Sequence, residues 1–515
     1  MSKSDKWIVT LTVMIGTIMA ALDSSIVNVA LPYMRGSLSA TIEEITWVAT
    51  GYILSSVIIM PIVGMLSARY GRKKFYLLSI VSFTISSMLC GMAWDLTSMV
   101  IFRVIQGMGG GVLIPVSQAI LRETFPPEEQ GMAMGLYGFG VVLGPAFGPT
   151  VGGWLTDHYS WPWIFYINVP IGVINVIMVM RFIKDPSYLV REKGKIDFLG
   201  LGFMTVGLGA LQVLLEKGEQ EAWFESHLIQ YLLIASLAGI ILFLWRELTC
   251  DRPAVDLRIL KDVNFASGSL IGGFLGMGLM GSLFLLPMFL QQLLGYPALD
   301  SGFIQMPRSL AMAVAMPLGG KLYNRLGPRV LIGSGLIITA LSFYQLSRLS
   351  LNMGYFDVFS PQLLQGAGFG LIFVALSTAA LSTVERQSLT AAAGLYNVVR
   401  QVFGSIGIAV AASQLTKSMT TYHALLAEKV TDYGSAASGW LQSVAGGMQS
   451  QGVDSSTGRQ MALSLLDNEL SRQAGMMAYN HLFLLATTLF VISMPFIFLL
   501  KSNKKKEGLE EIIAE

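Results

Sequence analysis

Fourteen apolar runs constrain this chain more than any other feature, because each approaches the roughly 20 residues that a helix needs to cross the hydrocarbon of a bilayer. Six lie near 7–32, 47–67, 75–93, 97–120, 131–154 and 164–183. Two follow near 198–215 and 228–246, and six more near 264–289, 300–319, 330–348, 358–383, 391–413 and 477–500. All are predicted to be helical. Lipid offers no partner to an exposed N–H or C=O, and runs of this length are too long for barrel strands. The predicted fold class is thus an all-α polytopic membrane protein. Only 13% of the residues are charged, against about 25% in soluble domains, and a net charge of +2 gives no footprint for nucleic acid. Cys90 and Cys250 are too few for a disulfide scaffold. Met1 to Lys6 supply a basic flank without a small-residue cleavage site, so the first run reads as a retained span.

Charge orients the spans. If the N-terminus is cytoplasmic, the loops and tail on its side hold Arg69, Arg72, Lys73, Lys74, Arg191, Lys193, Lys195, Arg252, Arg258, Lys261, Lys321, Arg325 and Lys504 to Lys506. The positive-inside rule then predicts both termini in the cytoplasm, as an even number of spans requires.

An internal repeat divides the chain. Gly64-Met65-Leu66-Ser67-Ala68-Arg69-Tyr70-Gly71 matches Gly320-Lys321-Leu322-Tyr323-Asn324-Arg325-Leu326-Gly327 at an offset of 256. Gln106-Gly107-Met108-Gly109 matches Gln365-Gly366-Ala367-Gly368, and Gly135-Leu136-Tyr137 matches Gly394-Leu395-Tyr396, both at 259. The expected organisation is a six-helix bundle over 1–190, two additional helices with linkers over 191–260, and a second six-helix bundle over 261–515. That last unit carries a long extracytoplasmic segment at about 414–476, read as a mobile loop or a docking surface, with helix expected near 422–431 and 461–473. Transporters built from parallel repeats hold substrate near the midplane between halves that rock.

Asp23 is the one carboxylate the sequence places deep in a span, where a charge costs about 2.5 kcal/mol or more. It is either a structural hydrogen-bonding group or a titrating proton carrier. Arg103, in the fourth span, is its natural counter-ion unless it snorkels to the interface, and Gln106 lies nearly one turn further along the same face. Asn28 and Gln106 are candidate cavity-lining amides. Arg308 and Arg400 are intramembrane cations of the second half without an evident acid, open to contact with substrate, helix carbonyls or water. Gly140, Gly144, Gly148 and Gly152 recur every four residues, with Pro145 and Pro149 after two of them, which leaves one stripe without side chains and lets the span bend. The turn formed by Gly64, Arg69, Gly71 and Arg72, repeated at Gly320, Arg325 and Gly327, serves topology or a latch between helices. No ATP-binding loop and no zinc motif occur, and the histidines His158, His227, His423 and His481 are scattered. No cofactor or metal is expected; an ion gradient, with protons as the coupling ion, is the expected energy source.

These stretches resemble the major facilitator superfamily, and within it the 14-span drug:proton antiporter branch. Leu22 to Pro32 is similar to its first-span motif, Arg103-Val104-Ile105-Gln106-Gly107 to its fourth-span motif and Gly140 to Gly153 to its fifth-span antiporter motif. Trp161 to Gly172, with Trp223-Phe224 and Arg400 near Gly404-Ser405-Ile406-Gly407, resembles EmrB-type multidrug exporters. The resemblance implies a non-enzymatic inner-membrane exporter of hydrophobic drugs against inward proton flow, with a periplasmic membrane-fusion adaptor and an outer-membrane channel as partners. One departure stands out: the family's loop motif has an acid before the arginine, where this chain has Ala68 and Asn324. A proton-coupled uptake carrier for a metabolite and a non-transporting receptor or assembly platform remain alternatives at this stage.

Overall fold

The computed structural model describes residues 3–185, 196–250, 253–428, 430 and 435–500. Of the basic residues used for orientation, Arg191, Lys193, Lys195, Arg252 and Lys504 to Lys506 lie outside the described residues. The first bundle comprises α1 (Lys3–Ser37), α2 (Ile42–Tyr70), α3 (Arg72–Gly91), α4 (Leu96–Thr124), α5 (Pro127–His158) and α6 (Trp163–Phe182). Next come α7 (Phe198–Lys217) and α8 (His227–Thr249), which pack on each other. The second bundle is α9 (Val263–Leu293), α10 (Ala298–Leu346), α11 (Tyr355–Ala380), α12 (Leu389–Ala427), the short α13 (Ser435–Ser450) and α14 (Ser455–Leu499). No strand occurs among the described residues.

Among the described residues, thirteen helices are long and apolar enough to cross a membrane, and one of them holds two spans. Within α10, Gly327 adopts φ +77° and breaks the helix, as Gly71 with φ +88° separates α2 from α3 at the equivalent place of the repeat. A side chain at either position would be strained, so glycine makes the tight turn. Counting α10 twice restores the fourteen spans expected from the sequence. Aspartates start several helices. Asp95 accepts from the Ser98 amide at 2.7 Å, Asp262 from that of Asn264 at 2.8 Å and Asp454 from that of Ser456 at 3.1 Å, each satisfying an orphan N–H.

The 414–476 segment is mostly helical rather than a loop. Helix α12 runs on to Ala427, α14 begins at Ser455, and α13 packs on α14. His423 and Asp467 tie the two long helices at 3.0 Å.

The two bundles meet at the end carrying the Arg69 turn, here called the basic end. Four of the repeated glycines, Gly64, Gly135, Gly320 and Gly394, close this seam. A Cβ on Gly64 would collide with Ala391, and one on Gly320 with the Gly131 backbone. The other pair mirrors this: Gly135 faces the Met316 carbonyl and Gly394 the Met60 carbonyl. Met60 and Met316 are themselves related by the 256 offset. Part of the repeat legible in the sequence therefore marks where backbones of the two halves touch. Three polar bonds cross the same seam. Arg122 Nη1 donates to the Thr378 carbonyl at 2.8 Å, Asn397 to Gln118 Oε1 at 2.7 Å, and Asn324 Nδ2 to the Glu128 carbonyl. Helix α7 bridges the halves further out, where Glu216 Oε1 accepts from Thr50 at 2.7 Å and Gln212 donates to Ser405 at 2.9 Å.

Candidate functional site: a sealed ion pair and its counterpart

Asp23 on α1 is fully buried and pairs with Arg103 on α4, Nη1 to Oδ2 at 2.6 Å. Its other oxygen accepts from Gln106 Nε2 at 2.8 Å and from Asn168 Nδ2 at 2.9 Å. Arg103 is equally enclosed. Its Nε donates to the Val48 carbonyl at 2.9 Å, its Nη1 also reaches Gln106 Oε1 at 2.7 Å, and its guanidinium lies 4.4 Å from the centre of the Tyr52 ring. The wall is held in turn by Ser87, which receives Asn168 at 3.1 Å and donates to the Phe165 carbonyl at 2.9 Å. A lone carboxylate at this depth would be intolerable, but here both oxygens and the cation are hydrogen-bonded, the condition under which a buried pair survives its desolvation.

The sequence anticipated Asp23 and Arg103 as partners and placed Gln106 beside them. Gln106 bonds both members of the pair and is wholly enclosed in the first bundle. Asn28 is exposed, on the same side of α1 as exposed Ser24 and Pro32. Asn168, Ser87 and Tyr52 were missed. Asn168 carried the only available signal, a buried amide between the short Trp163–Tyr166 turn of α6 and its continuation.

The glycine stripe of α5 packs on α1, the helix that carries Asp23. A Cβ on Gly144 would run into the backbone of Ala21 and Leu22, 2.6 Å from the Leu22 nitrogen. One on Gly148 would lie 2.6 Å from Ser25 Oγ, and one on Gly152 would lie 2.7 Å from Ile26, while Gly140 faces Met14 and Ile18. Pro145 and Pro149 are exposed on the opposite side. With no side chains between them, α1 and α5 are in close contact along this stripe.

In the second bundle Arg308 is buried, and its partners are neutral. Nη1 reaches Ser282 Oγ at 3.3 Å and Gln365 Oε1 at 3.4 Å, and Nη2 reaches Gln305 Oε1 at 3.4 Å. Arg400 is half-buried, its guanidinium 5.1 Å from the centre of the Phe373 ring.

The basic turns hold each bundle to itself. Lys73 Nζ donates to the Met180 carbonyl at 2.6 Å, near the end of the sixth span, and Arg329 at the matching position donates to the Leu500 carbonyl at 2.7 Å, near the end of the last span. Arg72 pairs with Glu123. Arg69 is half-buried and Arg325 exposed, Ala68 and Asn324 stand in place of acids, and Arg122, Asn397 and Asn324 each bond across the bundles at this end.

Two repeat-related helical bundles closed at one end, with an ion pair sealed at membrane depth in one of them, define a transporter of the secondary, rocking type. The chain belongs to the Major Facilitator Superfamily, whose sequence pattern it matches over residues 13–408. It is 33% identical to the fatty acid resistance protein FarB of Neisseria gonorrhoeae, with 96% of both chains covered. It is 32% identical to the multidrug export protein EmrB of Escherichia coli K12, covering 96% of this chain and 95% of that one. The colistin resistance protein EmrB of Acinetobacter baumannii is 29% identical, with 97% of both covered. Among solved structures the fold is shared with the human organic anion transporter MFSD10, at a TM-score of 0.60 and 14% identity over 94% of this chain and 99% of that one. It is also shared with the proton:xylose symporter XylE, at 0.59 and 12% over 95% of each. The protein is a multi-pass transporter of the bacterial inner membrane.

Proposed function

We propose that this chain exports hydrophobic drugs and other toxic lipophilic compounds by drug:proton antiport, with both termini in the cytoplasm. The observation that carries the reading is the sealed Asp23, whose counter-ion and amide partners come from α4 and α6 while its own helix is locked to α5. The relatives named as multidrug export proteins supply the substrate class.

With the basic end cytoplasmic, the seam is closed on the inside. Protonating Asp23 cancels its charge and leaves Arg103 with the Val48 carbonyl, Gln106 and the Tyr52 ring. Breaking such a pair costs about 3–5 kcal/mol. One proton crossing about 100 mV supplies about 2.3 kcal/mol, and each pH unit about 1.4 more, so a physiological gradient is of the right size to drive the change. Movement of α1 then carries α5 with it, and α5 bears Gly131 and Gly135 at the seam. The proton released from Asp23 to the cytoplasm frees the carboxylate to recapture Arg103. As in the EmrB type that the chain resembles, a periplasmic adaptor and outer-membrane channel would receive the cargo, and the helical projection of α12, α13 and α14 is the surface offered to the adaptor.

Proteoliposomes with an internal pH dye test the reading. Addition of a lipophilic drug to the wild type should move protons across the membrane in the direction opposite to the drug. Correctly inserted Asp23→Asn that still moved protons with drug would end it, and protons moving in the same direction as substrate would indicate uptake instead.

A further inference from the structure

Arg308 poses a charge problem that the molecule itself does not solve. The repeat makes this visible. Gln365 corresponds to Gln106, and the same 259 offset carries Asp23 to Ser282 and Arg103 to Gln362, while the 256 offset of the second span carries Tyr52 to Arg308. The contacts follow the correspondence: Ser282 bonds Gln365 at 3.0 Å, as Asp23 bonds Gln106. In the first half the cluster holds one acid and one base. In the second it holds a base alone.

No salt bridge reaches Arg308 among the described residues, and its three acceptors are neutral and at 3.3–3.4 Å, beyond the usual N–H···O range of about 2.7–3.2 Å. The acids of α10 and α11 sit in their first turns, at Asp300 and Asp357, and α9 and α12 have none. Beside the guanidinium, Gln365 Nε2 is enclosed with no acceptor, and one turn earlier on α11 Gln362 is enclosed with neither of its polar atoms paired. A buried lone cation with unfilled donors around it is costly, and the group that relieves it is an anion. A planar guanidinium is suited to a carboxylate, which it can grip with two parallel bonds. Half-buried Gln305 is the member of the cluster nearest to open space.

We infer that Arg308, with Ser282, Gln305 and Gln365, forms a monoanion site in the second half, whose occupant during transport is the carboxylate of an amphiphilic substrate. The site stands on this geometry, and only its occupant rests on the export reading. The substrate's head group supplies the charge that Asp23 supplies in the first half.

Binding to the purified full-length protein in nanodiscs, followed by calorimetry and thermal shift in sulfate buffer, tests this without transport. Decanoate should bind at least tenfold more tightly than decanol, and decyltrimethylammonium more weakly than either. Arg308→Gln should erase the preference for decanoate, and Arg308→Lys should keep part of it. Ser282→Asp should supply an internal carboxylate, raise the melting temperature and abolish the decanoate preference while decanol still binds. Chloride titration identifies the source of the anion: competition with decanoate assigns the site to monoanions at large, and no competition assigns it to substrate carboxylates. Equal affinity for decanoate and decanol, or a preference that survives in both Arg308→Gln and Ser282→Asp, would overturn the inference. Asp23→Asn in the same assay separates the two claims, because it should lose drug-driven proton movement and keep the decanoate preference.

Discussion

The two halves share a scaffold and differ in where they put charge. At the three-helix junction of the first, Asp23, Arg103 and Gln106 close a neutral, fully bonded cluster. At that of the second, Ser282, Gln362, Gln365 and Arg308 leave a net positive one. The difference teaches that a duplicated fold can divide its labour by exchanging single residues at equivalent positions: on the proposed reading one half takes up and releases a proton and the other holds an anion.

The comparison can be broken first at the acid. Asp23→Ser gives the first half the residue of the second, and proton movement coupled to drug should fall at least 100-fold in proteoliposomes while the protein still inserts. Arg103→Gln on its own strands the buried Asp23 carboxylate, so a loss of about 3–5 kcal/mol of stability is expected in thermal or denaturant unfolding.

A second break lies in the helix pairs that carry these clusters. In the first half a methyl on Gly144 meets backbone, whereas in the second a methyl on Gly404 meets Met280 Cγ at 3.0 Å, the flexible part of a side chain. Gly144→Ala should therefore abolish transport or lower stability by about 1–3 kcal/mol, and Gly404→Ala should change both far less, measured side by side by flux and melting temperature.

The seam offers a smaller effect. Removing the Arg122 bond to Thr378 with Arg122→Gln should shift the population toward the form open at the basic end by about 1–3 kcal/mol, read as increased labelling of a cysteine placed at Ala391. The smallest effect is expected at the matched turns: Lys73→Ala and Arg329→Ala each remove a cation from a helix C-terminus and should cost about 0.3–1 kcal/mol, with similar values in the two halves. Unequal values would show that the sixth spans are not held alike.

The spans, the repeat and the Asp23 to Arg103 partnership were legible because charge and length are conspicuous in an apolar chain. The rest was hidden for physical reasons. Asn168 and Ser87 are single uncharged polar groups in apolar spans, and only packing distinguishes one that reaches a carboxylate from one that bonds its own helix. Gln106 was read as cavity-lining because helical spacing fixes its face on α4 and not which neighbour covers that face. Glu216 sits beside Lys217 at a span end, and nothing in the sequence marks the approach of α2 to it through Thr50. The polar composition of 414–476 left helix expected only near 422–431 and 461–473, whereas α12, α13 and α14 together cover most of the segment and brace one another.

Infrared difference spectroscopy of the reconstituted protein, recorded on adding drug in light and heavy water, tests the central claim most directly. The account expects a protonated-carboxyl band that changes intensity with drug, shifts in heavy water and is absent from Asp23→Asn. A spectrum in which drug binding leaves every such band unchanged, or the same change in Asp23→Asn, would contradict it.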